Sequence, residues 1–249
     1  MRECVPVWCY WVGKMWPHIA VCLDSIKRCC RESAFKLVTD DTFMDYVYRD
    51  RVHPDWRKIP EPGVRSDIIR AALLAEHGGV YLDADTICLR DPVLLATDCD
   101  LRYARWSTPP DRVIAGYVSA RPGSQIASKW LANINETVEK RGAENIGWLD
   151  IGEGCLTPVV NATPGYYHDE MLLSTVLPIE IDREVGLFFT TMDWRAFVRP
   201  STVCFGLNHS WFVSRRPKDF EDPEKWKDSP MLIHKLLTDS MAKGDGNGG

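Results

Sequence analysis

Between Asp67 and Asp85 the chain changes character twice, and that change limits the folds open to it. Residues Asp67 to His77 (DIIRAALLAEH) are dense in helix formers and stop at Gly78-Gly79. Val80 to Asp83 then reads as a short apolar strand leaving the turn. A helix delivered by glycines into a strand is one step of an α/β sheet, and the rest of the chain repeats the step. Val5 to Val12 (VPVWCYWV) reads as a buried strand closed by Gly13. Pro17 suits a first helical position, ahead of Ile19, Cys22, Leu23 and Ile26 at helical spacing. Ala34 to Val38 is a second strand ending in Thr39-Asp40-Asp41, after which Pro54, Pro60, Pro62 and Gly63 punctuate a loop. Leu101 to Trp106 and Val113 to Ser119 read as strands, and Ser124 to Lys140 and Asp169 to Leu177 as helices. Glu180 to Thr191 and Val203 to Val213 read as strands, with a final helix over Pro223 to Leu237. The expectation is an α/β fold: a Rossmann-like mixed sheet flanked by helices, with an irregular C-terminal lobe. It is one domain over residues 1–243, with 244–249 as a disordered tail.

At 249 residues, 45% hydrophobic and 26% charged, the chain can bury a full core. Its 35 acidic against 30 basic residues, net charge -5, leave no electrostatic footprint for a nucleic acid backbone. Nine cysteines, an odd number scattered without zinc-knuckle spacing, fit a reducing compartment. Arg2, Glu3, Lys14 and Asp24 interrupt the first thirty residues, so neither a signal-peptide core nor a transmembrane segment is expected there or later. These features predict a soluble cytoplasmic protein; they leave its oligomeric state open.

The sharpest candidate site is Val80-Tyr81-Leu82-Asp83-Ala84-Asp85. Carboxylates two apart lie on one side of an extended chain. Open α/β sheets bind ligands beyond the carboxyl ends of their strands, which is where these two acids fall. Two hard oxygens there suit Mn²⁺ or Mg²⁺, which could bridge to a diphosphate. Asp67 and Arg70, three apart at the start of one helix, share a face and can reach one ligand. The bland alternative is an exposed intrahelical ion pair.

The stretch Val64-Arg65-Ser66-Asp67-Ile68-Ile69-Arg70, Leu73-Leu74, His77-Gly78-Gly79-Val80-Tyr81-Leu82-Asp83-Ala84-Asp85 resembles the glycosyltransferases with a sugar-binding region containing an Asp-X-Asp motif. That family includes capsular polysaccharide enzymes and outer-chain mannosyltransferases, and the glucosylating clostridial toxins are similar. The resemblance covers about twenty-five residues closely, with weaker echoes near both ends. It implies a GT-A fold and a retaining, metal-dependent transfer of a hexose from a nucleotide-sugar donor, a UDP-sugar or GDP-mannose, to a saccharide acceptor. Asp67 and Arg70 would bind the donor sugar, and Asp83 and Asp85 the metal. Tyr10-Trp11-Val12-Gly13 resembles the family's first strand, whose Trp stacks on the base; Trp11 is the first candidate and Trp8 the second. Asn208-His209-Ser210-Trp211 is similar to the late His and Ser-Trp elements. His209 or Asn208 would face the metal, and Ser210 and Trp211 would donate to phosphate oxygens. This chain spaces those elements more closely than the family commonly does. His168-Asp169-Glu170 reads as a helix start, where acids are favoured by the dipole, and the resemblance makes Asp169 and Glu170 candidates for the acceptor pocket. Ile151-Gly152-Glu153-Gly154 reads as an acceptor-side loop.

Two other classes stay open. A haloacid-dehalogenase-like phosphatase also places Asp-X-Asp at a strand end, but it needs a downstream Lys and a Gly-Asp-X-X-X-Asp motif with no convincing copy here. An inactive nucleotide-sugar-binding protein would carry the same site residues as an enzyme.

Overall fold

The structure, a computed structural model, describes residues 4–30, 33–108, 112–180, 185–209 and 218–245. The chain divides into two compact units, each assembled from three segments. The first takes residues 1–12, 32–82 and 95–171; the second takes 13–31, 83–94 and 172–249.

The first unit holds, among the described residues, a six-stranded mixed sheet. Its strands are β1 (Val5–Tyr10), β2 (Ser33–Val38), β3 (Gly79–Leu82), β5 (Leu101–Arg105), β6 (Val113–Ala120) and β7 (His168–Glu170); a further strand, β4 (Thr86–Cys88), belongs to the second unit. The order is β2-β1-β3-β6-β5-β7, with β1/β2, β1/β3 and β5/β7 parallel and β3/β6 and β5/β6 antiparallel. Three helices accompany the sheet: α2 (Pro62–His77), α3 (Gln125–Arg141) and α4 (Glu153–Ala162). From Ser66 to Ala75 every residue of α2 is buried, as expected of a helix apolar on most faces and packed between other elements. It begins five residues earlier than the sequence suggests, because Pro62 opens it at the first turn, where a missing N–H costs nothing. It ends at Gly78, φ 63°, and Gly79 follows at φ 94° with Pro6 so close that a Cβ would collide. The Gly-Gly pair is thus the joint that lets α2 turn tightly into β3.

The second unit contains α1 (Pro17–Cys29), β4, β8 (Cys204–Gly206), α5 (Pro223–Lys227) and α6 (Leu232–Asp245). β4 and β8 pair antiparallel, Thr86 with Gly206, Ile87 with Phe205 and Cys88 with Cys204. Ile87, Phe188, Phe205, Phe220, Trp226 and Leu236 form its core.

Several expectations are corrected. Residues 168–170 are an edge strand paired with β5, not the start of a helix over 169–177; Leu173–Thr175 is a single 3-10 turn. The expected strand 180–191 contains the 3-10 turn Val185–Phe189, while 181–184 lie outside the described residues. Among the described residues the late strand is Cys204–Gly206, with 210–213 of the expected 203–213 lying outside them, and the expected final helix is two helices. Residues 151–154, read as a loop, lead into α4, which tolerates Pro158 inside it. Helix α6 runs to Asp245, into the expected tail, and 246–249 lie outside the described residues. No helix among the described residues is long and apolar enough to cross a membrane.

Candidate functional site

The parallel strands β1, β2 and β3 end at one edge of the sheet, with Trp11 and Asp40 following the first two. The acidic motif follows β3 in the chain, but it is not extended: the strand stops at Leu82, and Ala84 and Asp85 form a turn before β4. The spacing argument for a shared side therefore fails as stated. Burial achieves a similar end, since Ala84 is buried while Asp83 and Asp85 are both partly exposed.

Within the second unit Asp85 is anchored from both ends of its peptide unit and side chain. Its carbonyl accepts the N–H of Leu207 at 3.0 Å, adding one rung to the β4/β8 ladder. Its carboxylate accepts the backbone N–H of His209. Asn208, φ 56°, occupies the left-handed region between them, a conformation Asn adopts more readily than most residues, and so turns His209 back onto Asp85. The His209 ring is held in turn: its Nδ1 lies 2.8 Å from Nε2 of His18, and the rings stack at 5.0 Å. His18 sits in the first turn of α1 and is buried. No local pattern could have revealed it, because its partner is 191 positions away. Among the described residues no three His, Cys, Asp or Glu side chains converge as a metal cage. The chemistry of the donors still fits Mg²⁺ or Mn²⁺ held by one or two carboxylates, with phosphate and water supplying the other oxygens.

Within the first unit Asp67 and Arg70 lie 3.4 Å apart. They are 6% and 5% exposed, so the exposed-pair alternative is excluded. Arg70 is clamped by the Ser66 carbonyl at 3.2 Å and the Ser66 hydroxyl, and its guanidinium lies 4.7 Å from the centre of the Tyr81 ring. The Asp67 carboxylate rests against Gly152, where a Cβ would stand 2.6 Å from it, at the residue preceding α4. The positive end of that helix favours a carboxylate there. A buried ion pair returns little net stability for its desolvation, while removing one partner is costly.

Trp8 is corrected. It is 3% exposed, donates Nε1–H to the Gly78 carbonyl at 2.9 Å, and packs against Tyr46 and His77, leaving no ring face for a base. Trp11 follows β1, partly buried, with its backbone N–H on the Val38 carbonyl at 3.1 Å. Asp169 and Glu170 sit on β7, paired with Arg102 at 2.6 Å and Arg105 at 3.2 Å. Ser210 and Trp211 lie outside the described residues.

Sequence reading missed one network at the sheet edge. The Tyr10 hydroxyl donates to Asp40 at 2.6 Å, and Arg65 donates to the other carboxylate oxygen at 2.9 Å. Burial first, then Asp40, push the Tyr10 hydroxyl well above its ordinary pKa. Asp40 had been visible only as a turn residue. Its role depends on a tyrosine thirty positions earlier and an arginine twenty-five later.

Residues 20–102 match the model of a family described as glycosyltransferase sugar-binding region containing DXD motif, a stretch that includes Asp67, Arg70, Asp83 and Asp85. No curated protein matches the chain. A solved structure described as PaToxG Glycosyltransferase is similar, with 17% identity over 65% of this chain and 70% of its own and a TM-score of 0.45.

Proposed function

We propose that this chain is a metal-dependent, retaining glycosyltransferase, of the capsular polysaccharide or outer-chain mannosyltransferase kind. It moves a hexose from a UDP-sugar or GDP-mannose to a saccharide or other hydroxyl acceptor. The family match carries the reading, because one continuous stretch contains the Asp67/Arg70 pair and the acidic motif. Asp85 and Asp83 hold Mn²⁺ or Mg²⁺, with His209 or Asn208 beside them. The bound ion supplies positive charge to the departing diphosphate. Asp67 accepts from sugar hydroxyls while Arg70 donates to them or to phosphate oxygen, fixing the sugar for attack. Trp11 stacks on the base, Ser210 and Trp211 donate to the diphosphate, and Asp169 and Glu170 serve the acceptor from the sheet edge. Catalysis is then chiefly positioning and leaving-group stabilisation, with no covalent nucleophile required.

The test incubates the protein with a panel of nucleotide sugars and Mn²⁺ and follows nucleoside diphosphate. Release by the wild type and a drop of roughly 100-fold in Asp85→Asn at unchanged Tm are the expected results. Release of inorganic phosphate with an aspartyl intermediate would replace this reading with the phosphatase. Tight nucleotide binding with no turnover would make the chain a binding protein.

A further inference from the structure

Cys29, Cys30, Cys88 and Cys204 of the second unit lie near one another where α1 packs on β4, and the proposed transfer uses none of them. Ser25 and Cys29 are one helical turn apart on α1 and grip the backbone of the same residue. Ser25 Oγ accepts the N–H of Cys88 at 2.9 Å, and the Cys29 thiol donates to the Cys88 carbonyl at 3.4 Å. The end of α1 is thereby fixed against Cys88. The Cys88 thiol donates to the Arg90 carbonyl at 3.3 Å, and hydrogen bonding with Cys29 first, then burial, push it up. Cys204 lies opposite Cys88 across the β4/β8 ladder, but it is fully buried and its thiol is directed to the Val176 carbonyl at 3.9 Å. Cys88 is 5% exposed, whereas Cys29 is only partly buried. Of these two thiols, Cys29 is the one an oxidant can reach.

We propose that Cys29 and Cys88 are a reversible oxidation site, forming a disulfide that ties the end of α1 to β4. With a peroxide as oxidant, the Cys29 sulfur attacks one peroxide oxygen and the O–O bond breaks. One water leaves, and Cys29 becomes a sulfenic acid. The Cys88 sulfur then attacks the Cys29 sulfur, the S–O bond breaks, and a second water leaves. Two thiols lose two electrons, and one peroxide becomes two waters. A dithiol reductant reverses the step by exchange. Burial makes Cys88 a poor first target, so it acts as the resolving thiol. The bond closes a loop between positions 59 apart, which restricts the unfolded chain and raises Tm.

The experiment treats the full chain with hydrogen peroxide, alkylates the remaining thiols and maps tryptic peptides. Wild type and Cys30→Ser should both yield the peptide containing Cys29 linked to the 71–90 peptide that carries Cys88. Cys29→Ser should yield the 71–90 peptide alkylated and unlinked. Oxidation should raise Tm by roughly 5 °C in wild type and not in Cys29→Ser, and dithiothreitol should remove the rise. The Tm of reduced Cys29→Ser, expected close to wild type, shows that the variant is folded. A Cys29–Cys30 or Cys88–Cys204 linkage, or alkylation of both Cys29 and Cys88 after peroxide, would overturn the proposal. These readouts do not depend on glycosyl transfer, so they stand or fall separately from it.

Discussion

Burial sets what the same substitution costs at two acidic residues. Asp67 is buried beside Arg70, and Asp85 is partly exposed, so the same isosteric change should act differently at each. Asp67→Asn removes the charge facing the buried Arg70 guanidinium, with Ser66 and Tyr81 still in place, and should cost about 2 kcal/mol in denaturant unfolding. Asp85→Asn keeps an oxygen for the His209 N–H and should cost under about 1 kcal/mol, with the proposed transfer falling roughly 100-fold. Equal losses of stability would deny that burial sets the cost of the change. Gly152→Ala places a Cβ 2.6 Å from the Asp67 carboxylate, so it should lower Tm by several degrees; φ there is -74°, so the clash alone acts. Tyr10 gives a pH signature. Its folded pKa is raised, so the proton is held more tightly in the native state, and the stability it contributes is complete below the ordinary tyrosine value near 10. That contribution is lost as pH rises beyond it. Between pH 9 and 11 the wild type should therefore lose more stability than Tyr10→Phe; parallel curves would deny Asp40 and Tyr10 their coupling.

At the scale of elements, what could be read in advance was what local chemistry decides. Pro17 at the head of α1, Ser124 at the cap of α3, and Gly78-Gly79 after α2 act within a few residues of themselves, and each of those three helix ends is where the pattern placed it. The misread segments are governed by distant partners. His168-Asp169-Glu170 carries a helix-start signal, yet pairing with β5 and Arg102 and Arg105 hold it extended. Pro62 looked like loop punctuation because proline stops helices more visibly than it starts them. The cap of α3 offers a measurement at this scale. Ser124 Oγ accepts the Ala127 N–H at 3.0 Å, so Ser124→Ala should cost about 1 kcal/mol. Asp100 is 4% exposed and takes the Ile126 N–H at 2.6 Å, the Gln125 N–H at 3.1 Å, the Ser124 hydroxyl and Arg121. Asp100→Ala leaves several buried donors unsatisfied and should cost about 3 kcal/mol by denaturant unfolding, clearly more than Ser124→Ala.

For the whole molecule, local patterning could announce an α/β sheet but not how the chain is shared out. The two units take alternate segments, and the chain passes from one to the other between Leu82 and Asp83, inside the very motif that reads as a unit in the sequence. The pairing of Asp85 with His209 likewise needed the return of β8 beside β4. The proposed metal site makes a claim about the stability of the folded chain as a whole. A ligand that binds only the native state raises unfolding free energy by RT ln(1 + [L]/Kd), about 2.7 kcal/mol at a hundredfold excess over Kd. For a chain of this length that is a rise in Tm of roughly 5–10 °C. UDP or GDP with Mn²⁺ should produce such a rise, and a chelator should withdraw it. Asp85→Asn should not show it. Should the chain unfold in two steps, the metal-dependent part belongs to the transition of the second unit, since Asp83 and Asp85 are built into it. A nucleotide that raises Tm equally with and without the metal would place its diphosphate on protein donors alone and remove the acidic motif from the binding step.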